Sequence, residues 1–212
     1  MGKINQGILG GFSGKVGNVI GGNWKGIDYM RVKPSSVANP KTEGQVDQRS
    51  KFSTVLHFLQ PLKDFVKVGY NNYAVQMTQF NSAMSYILKN AVIGTYPNFE
   101  IDYSSALVSR GNLSGALNAQ AESTEDGMVF SWDDNAGVGS AESSDKAMVL
   151  VYNVAKGEAV FSTSGEQRSA KTQTIALPDS FQGDAVECFI AFISDDSSAI
   201  SNSTYLGSIT VV

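Results

Sequence analysis

Residues 128–154 read MVFSWDDNAGVGSAESSDKAMVLVYNV. An apolar strand over 128–132 runs into the acidic turn Asp133-Asp134-Asn135, and a second strand follows over 148–154. The pattern continues to the C-terminus, with strands over 172–177, 186–193 and 205–211. Turn clusters at Lys156-Gly157, Pro178-Asp179 and Ser194-Asp195-Asp196 separate them. Helix signals are absent from Gly115 onward. About seven short strands in about 95 residues predict a β-sandwich over residues 112–212.

Upstream the chain changes character. Residues 1–33 hold Gly14, Gly17, Gly21, Gly22 and Gly26 among others, a density that disfavours helix. Val16, Val19 and Ile20 on one side of Lys25-Gly26, and Ile27, Tyr29 and Met30 on the other, predict two strands joined by a tight turn. Residues 34–42, PSSVANPKT, form a linker whose prolines favour extended backbone before them. Thr42 with Gln45 makes a capping box. Phe52, Val55, Leu56 and Leu59 then recur at helical spacing and predict one buried face.

Pro61 breaks or kinks that helix, with 62–68 continuing at a new angle. A second helix is expected over 78–92, with Phe80, Met84, Ile87, Leu88 and Ala91 inward and Gly94 as its stop. Residues 99–103 and 106–110 read as strands that join the N-terminal hairpin in a small sheet. The expected fold is therefore an α+β N-terminal domain over 1–111 (glycine-rich β-hairpin, two helices, small sheet). An all-β immunoglobulin/fibronectin type III-like sandwich over 112–212 follows it.

Little in the chain points to catalysis. Gly14-Lys15 lacks the first glycine of a P-loop, since Leu9 stands there, and Val16 replaces the Ser or Thr that would hold magnesium. His57, the only histidine, has no Cys, Asp or Glu at ligand spacing within its helix. Cys188, the only cysteine, sits in an apolar strand with no basic neighbour, as a small buried hydrophobe would. The acidic turns lack the spacing of an EF-hand. No enzyme activity, cofactor, metal or small-molecule substrate is expected.

Charge is uneven. Residues 1–110 carry twelve Lys/Arg against six Asp/Glu, and residues 111–212 carry four against fourteen, or +6 and −10 within the net −4. Opposite fields of this kind orient association between copies or with other structural proteins. A basic half with Trp24 and Tyr29 interleaved is also a candidate for nucleic acid. No apolar run is long enough to span a membrane or to form a signal-peptide h-region, so synthesis in the cytoplasm is expected.

Two resemblances add to this. Trp132 on an early strand, Tyr152 on a central one, the step 174–178 and a final strand after a serine-rich loop resemble a fibronectin type III domain. Val186 stands where that family usually has its corner tyrosine. Gly14-Lys15-Val16-Gly17, Trp24-Lys25-Gly26, Arg31, Pro34, and Asn39-Pro40-Lys41-Thr42 with Gln45, Arg49 and Phe52 resemble an uncharacterised Bacteroidetes family of similar length. The NPxTxxQxxxRxxF core is shared with phage and prophage structural-type proteins, and the likeness extends to Ile101-Asp102-Tyr103 and Ser109-Arg110-Gly111.

That resemblance implies a non-enzymatic structural or assembly role as a phage-type virion component, in which the N-terminal half docks and the sandwich is displayed. The candidate docking residues are Gly14, Gly17, Gly21, Gly22, Trp24, Lys25, Gly26, Tyr29, Arg31, Gln45 and Arg49. Recognition of a glycan or surface protein by the sandwich loops is the other binding role considered.

Overall fold

The computed structural model describes residues 2–4, 10–24, 26–36 and 41–212. Lys25, Asn39 and Pro40 lie outside the described residues. The chain divides into two compact units, Met1–Thr42 and Glu43–Val212.

The first unit is one antiparallel sheet, β1 (Lys3–Ile4), β2 (Phe12–Val16), β3 (Val19–Trp24) and β4 (Ile27–Val32), in the order β1-β2-β3-β4. Both tight hairpins use a left-handed glycine. Val16 pairs with Val19 across a turn where Gly17 has φ +57°, and Trp24 pairs with Ile27 across a turn where Gly26 has φ +85°. The Asn23 side chain braces the second turn, accepting from Gly26 N at 3.0 Å and donating to Asp28 at 2.8 Å.

The second unit opens with three helices, α1 (Glu43–Leu59), α2 (Lys63–Gly69) and α3 (Gln79–Asn90). Thr78 caps α3, its hydroxyl accepting from Asn81 N at 3.2 Å. Helix α3 ends before Val92, which starts the hairpin β5 (Val92–Thr95) and β6 (Asn98–Ile101). Seven strands follow: β7 (Leu117–Thr124), β8 (Gly127–Asp133), β9 (Lys146–Asn153), β10 (Glu158–Ser162), β11 (Thr172–Ile175), β12 (Ala185–Ile193) and β13 (Thr204–Thr210). They form a four-stranded sheet, β10-β9-β12-β13, and a three-stranded sheet, β11-β8-β7. The fold is mixed α+β and mostly β, with every named strand pair antiparallel.

Alternation along β9 and β12 explains how the unit is held together. Ala147, Val149 and Val151, with Val186, Cys188, Ile190 and Phe192, face Met128, Phe130 and Trp132 of β8 and fill the space between the two sheets. Their neighbours Met148, Leu150, Tyr152, Phe189, Ala191 and Ile193 point the other way. They pack with Val55, Phe58, Leu59, Phe65, Tyr70 and Ile87 from the helical segment. Rings lock this second core: Phe58 meets Tyr152 at 5.1 Å and Tyr103 at 5.6 Å, both edge-on, and Phe65 meets Phe161 at 5.7 Å. A sheet covered on both faces reads as an unbroken apolar run, as residues 147–152 and 188–193 do.

Within the unit Glu43–Val212 the helices and the four-stranded sheet share one core. Several sequence expectations are corrected. The N-terminal strands form their own sheet, and β5-β6 is a separate two-stranded one, so the expected joint sheet does not form. The segment past Pro61 is a distinct helix, which makes three helices rather than two. Phe52 is half exposed at 49%, and Phe58 takes the inward place beside Val55 and Leu59.

Residues 106–110 are not a strand. They are fixed by polar groups instead: Ser203 Oγ accepts from Val108 N at 3.0 Å, Ser109 Oγ donates to Ser201 O at 3.0 Å, and Arg110 N donates to Gly69 O at 2.9 Å. The Arg110 guanidinium lies over Tyr73 at 4.4 Å and Tyr86 at 5.3 Å. A side chain at Gly111 would drive its Cβ into the carbonyl of Ile200.

Candidate docking surface

Cross-strand pairs share a face of a sheet, so the registers in the first unit assign each side chain to one side. Lys15 pairs with Ile20 and Ile20 with Arg31; Gly22 pairs with Tyr29, Trp24 with Ile27, and Lys3 with Ser13. One face therefore carries Lys3, Lys15 and Arg31 beside Trp24, Ile27 and Tyr29. The other carries Phe12, Gly14, Val16, Val19, Gly21, Asn23, Asp28, Met30 and Val32. Every strand-borne cation of this unit is on the first face.

The sheet is a single layer. Among its described residues only Gly21 is buried, and every residue of β4 is exposed. Met30 and Val32 are 71% and 73% exposed, and Val16 is 57% exposed. On the basic face Trp24 is 63% exposed. β4 is also an open edge. The bond from Lys33 N to Asn18 O at 2.7 Å fixes which residues pair inward, so Asp28, Met30 and Val32 turn their backbone N–H and C=O groups away from β3.

The candidate residues fall into three groups. Gly17 and Gly26 serve the turns. Gly21 and Gly22 accommodate the unit's own aromatic rings: a Cβ on Gly21 would enter the Phe12 ring, and one on Gly22 would come within 3.0 Å of Tyr29. Gly14, in β2, has φ +107°, a left-handed value that glycine tolerates. Trp24, Tyr29 and Arg31 come together on one face, whereas Gln45 and Arg49 are exposed on α1 in the other unit.

Charge follows the same division. Residues 1–42 hold six Lys/Arg and one acidic residue, and residues 43–212 hold ten against nineteen. The basic excess is thus concentrated in the sheet unit more sharply than the half-chain count suggests.

The second unit offers less to a ligand. Cys188 is fully buried, and burial, reinforced by Glu187, pushes its thiol up to about 12. His57 is exposed at the rim of a cleft with Phe58, Glu100, Tyr103 and Tyr152. The acidic turns are engaged in holding the loops: Asp133 accepts from Asn118 at 2.8 Å, Asp134 from Ala136 N at 3.0 Å, and Asp195 pairs with Lys146 at 2.8 Å. No group of three or more His, Cys, Asp or Glu among the described residues is placed to hold a metal. No helix among them is long and apolar enough to cross a membrane.

One residue of structural weight escapes sequence reasoning. Arg168 is fully buried, and its guanidinium reaches Asp145 Oδ2 through Nε and Nη2 at 3.1 Å each, Gly115 O at 3.0 Å, Asn135 Oδ1 at 2.6 Å and Ser114 O at 2.8 Å. Four hydrogen bonds and the ion pair with Asp145 thus engage all three of its nitrogens. It also lies over the Phe192 ring at 3.8 Å, and its carbonyl accepts from Trp132 Nε1 at 2.7 Å.

A mostly β, α+β chain with an exposed N-terminal sheet is the class that fold and surface define. The chain belongs to a family of unknown function, DUF6266, whose family model matches residues 11–207. A comparison with curated proteins finds no match.

Proposed function

We propose that the protein is a non-enzymatic structural or assembly component of phage virion type, docking through its N-terminal sheet and displaying an immunoglobulin/fibronectin type III-like sandwich. The observation that carries this reading is the single-layer sheet. A sheet with exposed apolar groups on both faces and an open edge has no core of its own, and such layers gain stability by packing against another. The likeness of the N-terminal signature to phage and prophage structural-type proteins supports the virion assignment. The strand orders β10-β9-β12-β13 and β11-β8-β7 support the sandwich type. Fractionation of native particles on a density gradient, followed by limited proteolysis, tests it. Co-sedimentation with particles and protection of residues 1–42 are expected. A chain absent from particle fractions, with that sheet open to protease throughout, overturns the reading.

A second reading, nucleic-acid binding, is favoured by one observation: Lys3, Lys15 and Arg31 share a face with Trp24 and Tyr29. Binding of single strands that weakens steeply with salt and is lost in Lys15→Glu/Arg31→Glu is its expected signature. No gel shift at low salt rejects it.

A further inference from the structure

We infer that the cleft between α1, β6 and the end of β9 binds an organic ammonium ion, its charge held among aromatic rings beside Glu100. The inference lies within the second unit and is independent of what the N-terminal sheet docks to. The cleft has a volume of about 490 Å³, in the range of small-molecule sites. Phe58, Phe99, Tyr103 and Tyr152 line it, with Glu100 as its one carboxylate. Three of those rings, Phe58, Tyr103 and Tyr152, form a single cluster with centroids 5.1–6.2 Å apart.

Three observations select a cation. First, Tyr152 is 5% exposed, yet its hydroxyl has no hydrogen-bond partner among the described residues. No enclosed side-chain oxygen among them lacks a partner, so the small accessible part of Tyr152 includes the hydroxyl. A phenol oxygen left open in this way accepts from an ammonium N–H. Second, the rings stand among carboxylates that no cation neutralises. Glu187 pairs with Tyr152 across β12 and β9, is 8% exposed, and accepts from Tyr205 Oη at 2.5 Å. Neither Glu187 nor Glu100 enters an ion pair among the described residues. Burial pushes the Tyr103 phenol above its ordinary range; Tyr152, Glu187, Tyr205 and Glu100 push the same way, with no cation opposing them. Third, one ring of the cleft already holds an ammonium. Lys51 Nζ lies 4.9 Å over the Phe99 ring and is paired with Asp47 at 2.9 Å. An anionic guest would meet Glu100 and Glu187, and a neutral apolar one would gain nothing from either.

Choline and 3,3-dimethylbutanol, which has the same shape without the charge, are titrated into the full chain and followed by ¹H–¹⁵N NMR at residues 99–103 and 152–154. Saturable shifts are expected there, with choline at least about tenfold tighter than the alcohol. Glu100→Gln, which removes no hydrogen bond or ion pair among the described residues, weakens choline about three- to tenfold. Lys51→Gln, which removes a competing positive charge, strengthens it about two- to fivefold. Glu125→Gln, in the β7–β8 turn, leaves it unchanged. Opposite signs at Glu100 and Lys51 are the mark of a bound charge, and an apolar cleft shows neither. N-acetyl-lysine methylamide separates the sources of the ammonium: tighter binding than choline assigns it to a protein side chain, weaker binding to a small molecule, and either supports the site. Equal affinity for choline and the alcohol overturns the inference. So do shifts indifferent to Glu100→Gln and Lys51→Gln, or no saturable shift up to about 50 mM choline.

Discussion

Cutting the chain at 111/112 tests the shared core directly. The fragment 112–212 keeps the seven strands β7 to β13 but loses the helices that cover the outer side of β9 and β12. Met148, Leu150, Tyr152, Phe189 and Ile193 would pass from no more than 5% exposed to open solvent. At about 1.5–3 kcal/mol for each large apolar side chain, the loss is about 7–15 kcal/mol, as large as the whole stability of an ordinary domain. Fragment 43–212 retains that cover. Trp132 is the only tryptophan in either fragment and is buried in the inter-sheet core, so its emission reports that core in both. A cooperative urea transition with blue-shifted emission is expected for 43–212. Fragment 112–212 is expected to be insoluble, or to bind a hydrophobic dye and unfold without a cooperative transition. A soluble 112–212 that unfolds cooperatively within about 2 kcal/mol of the longer fragment would refute the shared-core argument.

Other expectations concern single residues. Arg168→Met strands the buried Asp145 carboxylate and leaves Ser114 O, Gly115 O and Asn135 Oδ1 without their donor. The cost is about 3–5 kcal/mol, a fall in Tm of about 6–20 °C by calorimetry, and Asp145→Leu/Arg168→Met should be less damaged than the single variant. A single variant within 1 °C of the parent contradicts this. Gly111→Ala should cost about 2 kcal/mol or more, because the obstacle is the backbone of Ile200, whereas Gly157→Ala, with open space around it, should cost about 1 kcal/mol from its positive φ alone. Equal urea midpoints for the two would discount the close approach.

Acid should act through three carboxyls. Ser194 and Ser198 hold Asp196 down to about 2, Lys156 and Asn153 hold Asp184 below its ordinary value, and Ser104 and Ser105 do the same for Asp102. A carboxyl lowered by folding stabilises above its unfolded pKa and loses that contribution as pH falls through its folded one. Stability should therefore be level above about pH 5 and decline between about 4 and 2. Asp196→Asn should flatten that decline, and an unchanged profile counts against the Ser194 and Ser198 bonds.

Many of the strands after residue 112 were legible because turn chemistry punctuates them. Asp133-Asp134-Asn135, Lys156-Gly157 and Ser194-Asp195-Asp196 each sit between strands that the structure contains. The β-hairpin at Gly26 was legible for the same reason. The polar tie around residue 109 was not legible, because Ser109 and Ser203 use their hydroxyls to join backbone segments over 90 residues apart in sequence. The unbroken apolar runs at 147–152 and 188–193 were the available clue to the shared core. A sandwich open to water on one side would alternate there, as Met128, Phe130 and Trp132 do with Val129 and Ser131.

For the surface, period two puts Tyr29 and Arg31 of β4 on one side, whereas Trp24 joins them only through the β3–β4 register. The role of Gly21 and Gly22 was not legible, since the rings that lie over them come from neighbouring strands. Arg168 gave no local sign. Its four partners, Ser114, Gly115, Asn135 and Asp145, lie far from it in sequence, and nothing near Gln167 or Ser169 announces them.

The two-faced sheet also bears on how this family can diverge. A substitution at Leu150 is felt by the helical layer and its neighbour Val151 by the opposite layer, so a shift of the β9 backbone that relieves one packing disturbs the other. Compensation must then arise on both sides at once. Across relatives, β9 and β12 should drift most slowly, the helices and the three-stranded sheet should co-vary through them, and the strands β7 to β13 should not travel between genes as a detachable cassette.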